Sequence, residues 1–310
     1  MQLSAWIGFS LSLNGTKMTK ITWARTAVIA ATAVLWFSGV AYAASTPSVG
    51  SREFKVLLNP TAFSSDPKSA AASFLTDLKA SLASNGFDET ISKSFSADHD
   101  RIVTYYDTAG TCYLNQLGYS MRKRDESGDL DIELKFGSTN QSTAASTDVS
   151  GSKSSATSKL EDDITPVYTE KFSHSTTETL SSSKYINKVS DIKDLFPKTT
   201  AFDTASSDAL VAVSGLSIHE ITYDGPTSDL GQEAADFTLT LWYPNGATTP
   251  ALAEISFDVD VNDDGVFTTK VTSRSQLIFS TIQEMTNWTQ TPSSTKTAWV
   301  YKYQPSFCSQ

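Results

Sequence analysis

The sequence predicts an α+β fold: one domain dominated by antiparallel strands, with a few flanking helices. Three observations predict it. Runs of strand length rich in Tyr, Val, Ile and Phe recur along most of the chain. Several of them alternate apolar and charged residues with a period of two. Two longer segments, 67–84 and 274–286, carry apolar residues at helical spacing instead. The 310 residues are 39% hydrophobic and include 16 Phe, 11 Tyr and 6 Trp, enough for a sizeable core and too many for wholesale disorder.

In chain order, residues 1–43 carry Lys17, Lys20 and Arg25 and no acid, then an apolar run, Ala27–Phe37, and an Ala41-Tyr42-Ala43 end. This pattern predicts a secretory signal peptide cut before Ala44, because the apolar run falls short of a span of about 20 residues. An uncleaved anchor is the alternative. Met18 would begin a more usual signal, so 1–17 reads as an upstream extension. The mature chain is then secreted or periplasmic, with no membrane contact after cleavage. In such a compartment Cys112 and Cys308 can close a disulfide or stand as two thiols. Asn140-Gln141-Ser142 and Asn287-Trp288-Thr289 are glycosylation sequons in a eukaryotic setting.

The run 52–58 reads as a first strand. A helix over 67–84 follows, started by Asp66-Pro67, with Phe74, Leu75, Leu78 and Leu82 on one face. Strands are expected at 101–107, 118–124 and 130–136. Residues 138–158, with 12 Ser or Thr in 21 positions, read as a flexible loop tip between strands rather than a domain boundary. A strand at 159–164, a looser stretch and a short helix at 190–196 come next. Strands recur at 210–213, 217–223, 235–243, 251–261 and 266–272, before the helix over 274–286 and a tail at 298–303.

The strand faces carry the chemistry. Asp131, Glu133 and Lys135 oppose Ile132, Leu134 and Phe136. Ser120, Arg122 and Arg124 share a face, as do Lys159, Glu161 and Asp163. Glu254, Ser256, Asp258 and Asp260 oppose Ala253, Ile255, Phe257 and Val259, and Glu53 and Lys55 oppose Phe54 and Val56. An ordinary sheet with one wet face explains this split. So does a closed barrel whose lumen holds the charges; such a lumen would need water, metal or a polyanion to be tolerable.

The ordered set Glu53-Phe54-Lys55, Tyr105-Tyr106-Asp107-Thr108, Leu117-Gly118-Tyr119-Ser120-Met121-Arg122-Lys123-Arg124 and Glu133-Leu134-Lys135 resembles the CYTH-like, or triphosphate tunnel metalloenzyme, superfamily. Lys159-Leu160-Glu161-Asp162-Asp163 and Ala253-Glu254-Ile255-Ser256-Phe257 resemble its later strands, so the resemblance runs from about 52 to 286. It implies a closed eight-stranded antiparallel β-barrel, or tunnel, that binds triphosphate-containing ligands with Mg²⁺ or Mn²⁺. By position, Lys55, Arg122, Arg124 and Lys135 would be phosphate-binding. Glu53, Glu161, Asp163 and Glu254 would hold metal, and Glu53, Glu161 and Glu254 would be catalytic, placing the attacking water. The implied function is metal-dependent binding of a small polyanion, inorganic tripolyphosphate or an organic triphosphate, with its hydrolysis as the further expectation, a reaction in which positioning and charge neutralisation do most of the catalysis.

Two departures bear on activity. Ser51 stands where the family's first strand usually has an acid, and the strands at 217–223 and 235–243 have no Lys or Arg. A non-catalytic exported binding protein with the same barrel is therefore the alternative function.

Other signals are weaker. Asp260, Asn262, Asp264 and Gly265 fall at calcium-loop positions, but Val271 stands where the bidentate Glu belongs, and an Asp-Gly turn between strands explains the same residues. His99, His174 and His219 show no ligand spacing. Trp242-Tyr243 with Trp299, Tyr301 and Tyr303 suit packing better than a sugar-stacking surface. There is no G-x-S-x-G, H-E-x-x-H or phosphate-loop motif. The net charge of −10 disfavours nucleic acid as a partner. Without residues 1–43, which hold three bases, 21 Lys+Arg face 34 Asp+Glu. That count leaves a small polyanion open, because local charge governs binding.

Overall fold

The computed structural model describes residues 47–181, 185–261 and 265–309. The signal-peptide and cleavage expectations, and Asn262 to Asp264 of the calcium-like loop, lie outside them.

Among the described residues, twelve strands form one sheet: β1 (Ser51–Leu58), β2 (Ile91–Ser92), β3 (Ser96–Asp107), β4 (Tyr119–Glu126), β5 (Asp129–Ser138), β6 (Thr157–Thr165), β7 (Thr169–Leu180), β8 (Val211–Ala212), β9 (Ile218–Asp224), β10 (Thr227–Asp229), β11 (Ala234–Pro244) and β12 (Leu252–Asp260). Six α-helices among the described residues accompany them: α1 (Pro67–Ser84), α2 (Tyr113–Gln116), α3 (Gln141–Ser146), α4 (Val189–Leu195), α5 (Thr269–Glu284) and α6 (Lys296–Tyr303). Nine strands pair in the cyclic order β1-β6-β7-β5-β4-β3-β9-β11-β12 and back to β1, which closes the sheet into a barrel. The eight-stranded, all-antiparallel expectation is corrected on both points. An odd number of strands cannot alternate in direction all round a closed ring, so one parallel pair is required. It is β1 with β6, where Ser51 pairs with Glu161 and Glu53 with Asp163.

Period-two alternation then gives the barrel two unlike faces. Outward residues of β1, β11 and β12, among them Phe54, Phe237 and Phe257, pack under α1 and α5. Phe54 and Phe257 stack at 4.7 Å. Helix α1 begins where Asp66 accepts a hydrogen bond from Ser69 N and Pro67 fills the first turn, and α5 is capped by Thr268. On the other side, Met121, Ile132 and Leu134 pack under Ile192 and Leu195 of α4. These apolar skins leave the charged positions facing inward.

Four local expectations change. Residues 266–272 are not a strand; the α5 cap at Thr268 turns their second half into helix. The tail at 298–303 belongs to α6. Strand β7 falls in the stretch read as irregular, because its inward face is Lys171, Ser173, Ser175 and Thr177 and its hydrophobic alternation is faint. The Ser/Thr-rich segment is not a solvated tip. It forms α3, capped by Asn140, buries Ala144, Ala145 and Val149, and is held by Glu178, which accepts hydrogen bonds from Ser152 N and Lys153 N.

The C-terminal segment fills one part of the barrel interior. Leu57, Val103, Ile218, Trp242 and Leu252 occupy inward positions and cluster with Val300, Phe307, Trp299 and Tyr301. Trp242 and Trp299 meet edge to face at 5.8 Å, so this pair is packing, while Tyr243 belongs to the outer core and Tyr303 is exposed. A disulfide between Cys112 and Cys308 ties the segment to the residues after β3. Tyr301 Oη donates to Asp107, which also accepts from the backbone N–H groups of Thr108, Leu114 and Asn115.

Candidate functional site

Beside this plug the lumen opens into a cavity of about 450 Å³. Seven basic side chains line it (Lys55, Arg122, Arg124, Lys135, Lys159, Lys171, Lys296), against five acidic ones (Glu53, Glu133, Glu161, Asp163, Glu254). The cavity is thus net positive inside a net acidic chain.

Each acid is engaged by at least one base. Arg122 Nη2 donates to both oxygens of Glu133, at 2.8 and 2.9 Å, and Arg124 Nη1 lies 3.4 Å from Oε2. Lys55 Nζ bridges Glu53 at 2.8 Å and Asp163 at 2.6 Å. Lys135 reaches Asp163 at 3.0 Å, and Ser173 Oγ donates to the same carboxylate. Lys159 pairs with Glu161 at 2.7 Å. Lys296 Nζ stands 2.8 Å from Glu254 Oε1 but off the hydrogen-bonding direction, so that buried oxygen has an ionic neighbour without a hydrogen bond.

Burial alone would push these carboxyls up. For Glu133, Arg122, Arg124 and Lys135 reverse that and hold it far below the usual carboxylate range. For Asp163, Lys135 and Lys55 do the same, helped by hydrogen bonds from Lys55 and Ser173. Glu53 is lowered by Lys55 against the opposing effects of burial and Asp163. Burial would lower Lys55, yet Asp163 and Glu53 hold it well above the ordinary lysine value. Burial and the neighbouring Arg122 lower Arg124. The Nε groups of Arg122 and Arg124 are buried without a hydrogen-bond partner among the described residues. Unmet buried donors of this kind are costly, and an anion between the two would satisfy them.

All eight residues expected to form a site line this one cavity. Glu53, Glu161 and Asp163 approach most closely, offering one carboxylate oxygen each within 4.8 Å of one another. Hard oxygen donors of this type suit Mg²⁺ or Mn²⁺, so the residues fit the implied metal, with Lys55, Lys135 and Lys159 as the present counter-charges. Glu254 lines the same cavity beside Lys296. Ser51 lies next to Glu161 and opposite Asp260 in the strand register, so no side-chain acid occupies that position of β1. The histidines form no common group: His99 contacts Glu126, His174 contacts Thr147 O, and His219 contacts Asp100.

Sequence reasoning missed Lys171 and Lys296 as site residues. Lys296 follows the Thr295 cap of α6 and has no strand alternation to announce it. Lys171 lies on the strand that was not anticipated. Glu133 was seen on the charged face without its role, which is to hold both arginines.

No protein-family model matches the chain, and no curated protein sequence matches it. Solved structures similar to it include a candidate adenylyl cyclase from Hippeastrum described as having a dominant triphosphatase activity (13% identity, 83% of this chain and 97% of that chain, TM-score 0.42). Candidate adenylate cyclases from Bacillus halodurans (12%, 81% and 98%, TM-score 0.35) and Vibrio parahaemolyticus (11%, 81% and 95%, TM-score 0.31) are also similar. The closed barrel with a charged lumen follows from the chain's own strand pairing and cavity lining.

Proposed function

We propose that the tunnel binds a compact polyanion of the tripolyphosphate type together with a divalent cation, and that it hydrolyses the bound chain. One observation carries the reading: a net-positive cavity, with two buried arginines short of acceptors, sits beside three converging carboxylates in a chain that is acidic overall. Arg122, Arg124, Lys55 and Lys135 neutralise phosphoryl oxygens and fix the ligand along the lumen. Glu53, Glu161 and Asp163 would hold Mg²⁺ or Mn²⁺, which when bound supplies charge neutralisation at the transferred phosphoryl group. Glu254, buried and free of hydrogen bonds at Oε1, is the carboxylate placed to orient a water.

A second reading, binding without turnover, is favoured by Ser51 and by the lysines that already neutralise Glu53, Glu161 and Asp163. Phosphate release from tripolyphosphate, measured with Mg²⁺, with Mn²⁺ and with chelator, separates the two. Metal-dependent release supports hydrolysis. Calorimetric binding without release leaves the second reading, and absence of both refutes the polyanion site. Ser51→Glu restores an acid beside Glu161 and is expected to raise turnover if the tunnel is catalytic.

We also infer export of the chain from Ala44 onward. The signal-like segment supports it, as does the Cys112–Cys308 disulfide, which suits an oxidising compartment. N-terminal sequencing of secreted protein tests the cleavage site, and retention of the uncleaved chain in cells would overturn it.

A further inference from the structure

Strand pairing places Lys171 of β7 directly opposite Asp163 of β6, the register in which an ion pair normally forms. That pair is absent. Asp163 is already held by Lys55, Lys135 and Ser173. Lys171 turns instead towards β5 and lies across Gly137, where a Cβ would stand 2.5 Å from its Cε and 2.9 Å from its Nζ. The missing side chain at 137 is what lets it lie there. Lys171 is exposed, lines the cavity and, among the described residues, is the cavity base with neither an ion pair nor a hydrogen bond. Six bases use the lumen's acids, and Lys171 is left over.

We propose that Lys171 forms an outer anion subsite that selects the length of the bound polyphosphate, engaging a phosphoryl group beyond those gripped by Arg122, Arg124, Lys55 and Lys135. The inference rests on the polyanion reading and adds a specificity determinant to it. A short anion fills the inner grip and leaves Lys171 in solvent; a longer chain reaches it. The free ammonium gives up no carboxylate to make that contact, so its contribution appears undiminished in the affinity.

The test is calorimetric titration of the intact chain with pyrophosphate and with tripolyphosphate, for the wild type, Lys171→Met, Lys171→Arg and Gly137→Ala. Lys171→Met should weaken tripolyphosphate about tenfold, the scale of one charge-assisted contact, and change pyrophosphate less than about twofold. Lys171→Arg should restore the preference. Gly137→Ala, which displaces the lysine stem, should reduce it partway. Equal loss for both anions, or no loss for either, overturns the subsite while leaving the polyanion reading in place. Failure of the wild type to bind either anion overturns both. Unchanged thermal unfolding of Lys171→Met, expected for an exposed side chain, shows that any loss is local.

Discussion

The two halves of the barrel lumen are built on opposite principles. On β1, β4, β5 and β6, most inward positions around the cavity are charged and paired one with another. On β9 and β11 they include Ile218, Glu220, Thr222, Asp224, Asp236, Thr238, Thr240 and Trp242, without a Lys or Arg. There the space is taken by the C-terminal segment, and the cations come from outside these two strands, Arg101 Nε reaching Glu220 Oε1 at 2.6 Å and Lys296 standing beside Glu254. One half is a charged wall around the cavity and the other a socket for the C-terminal segment. The scarcity of basic residues on β9 and β11 therefore marks where the plug sits.

The comparison can be broken by removing one member of each half. Arg122→Ala leaves Glu133 buried with only the longer contact from Arg124, and should lower stability by about 3 kcal/mol. It should also abolish calorimetric tripolyphosphate binding. If binding survives, the charged half is not the ligand wall. In the socket, Cys112→Ser with Cys308→Ser opens a covalent loop with a sequence separation of 196, and should cost about 2–5 kcal/mol in urea unfolding. Because the charged wall is separately built, residual anion affinity is expected wherever the protein remains folded.

Acid separates the halves by a different route. Glu220 would be raised by burial, but Lys296, Arg101 and Arg122, with the Trp242 hydrogen bond, bring it down to about 2. A depressed folded-state value contributes stability that is present above the ordinary carboxylate value near 4.5 and is lost as pH falls towards 2. The loss should be on the order of 3 kcal/mol for this group, seen as a falling urea midpoint. Glu220→Gln should flatten that limb while keeping an acceptor for Trp242. A limb unchanged in the variant would assign the acid sensitivity to Glu133 and Asp163, in the charged half.

The smallest effect is expected at Asp258. Burial, then repulsion from Glu53, Asp236 and Asp260, pushes it up to about 6 although its side chain reaches solvent. Its sign is the reverse: the strain is present above pH 6 and relieved as pH falls towards 4. Asp258→Asn should raise the melting temperature slightly at pH 7 and leave it unchanged at pH 4. An equal rise at both values would remove charge crowding as the cause.

Much of the charged half was legible in the sequence, because strand alternation is strict there. Glu53 with Lys55, Arg122 with Arg124, Glu133 with Lys135 and Glu161 with Asp163 each occupy positions two apart, and any closed sheet sends such pairs to one side. The features that were missed were illegible for the opposite reason. Strand β7 presents small hydroxyl residues inward, α6 carries its lumen residue at a helix start, and Ser/Thr-rich segment 138–158 hides buried Ala144, Ala145 and Val149 behind a loop-like composition.

The sequence by itself determined the α+β class, the alternating faces, the helices at 67–84 and 274–286 and the identity of eight lumen residues, since periodicity and capping are local properties. Only the tertiary structure decided the nine-strand ring with its parallel β1·β6 closure, the Cys112–Cys308 pairing, the entry of Lys296 into the lumen and the exclusion of Lys171 from Asp163. Those depend on which distant strands become neighbours and on which of several cations reaches a shared carboxylate first, a competition settled by three-dimensional distance rather than by spacing along the chain.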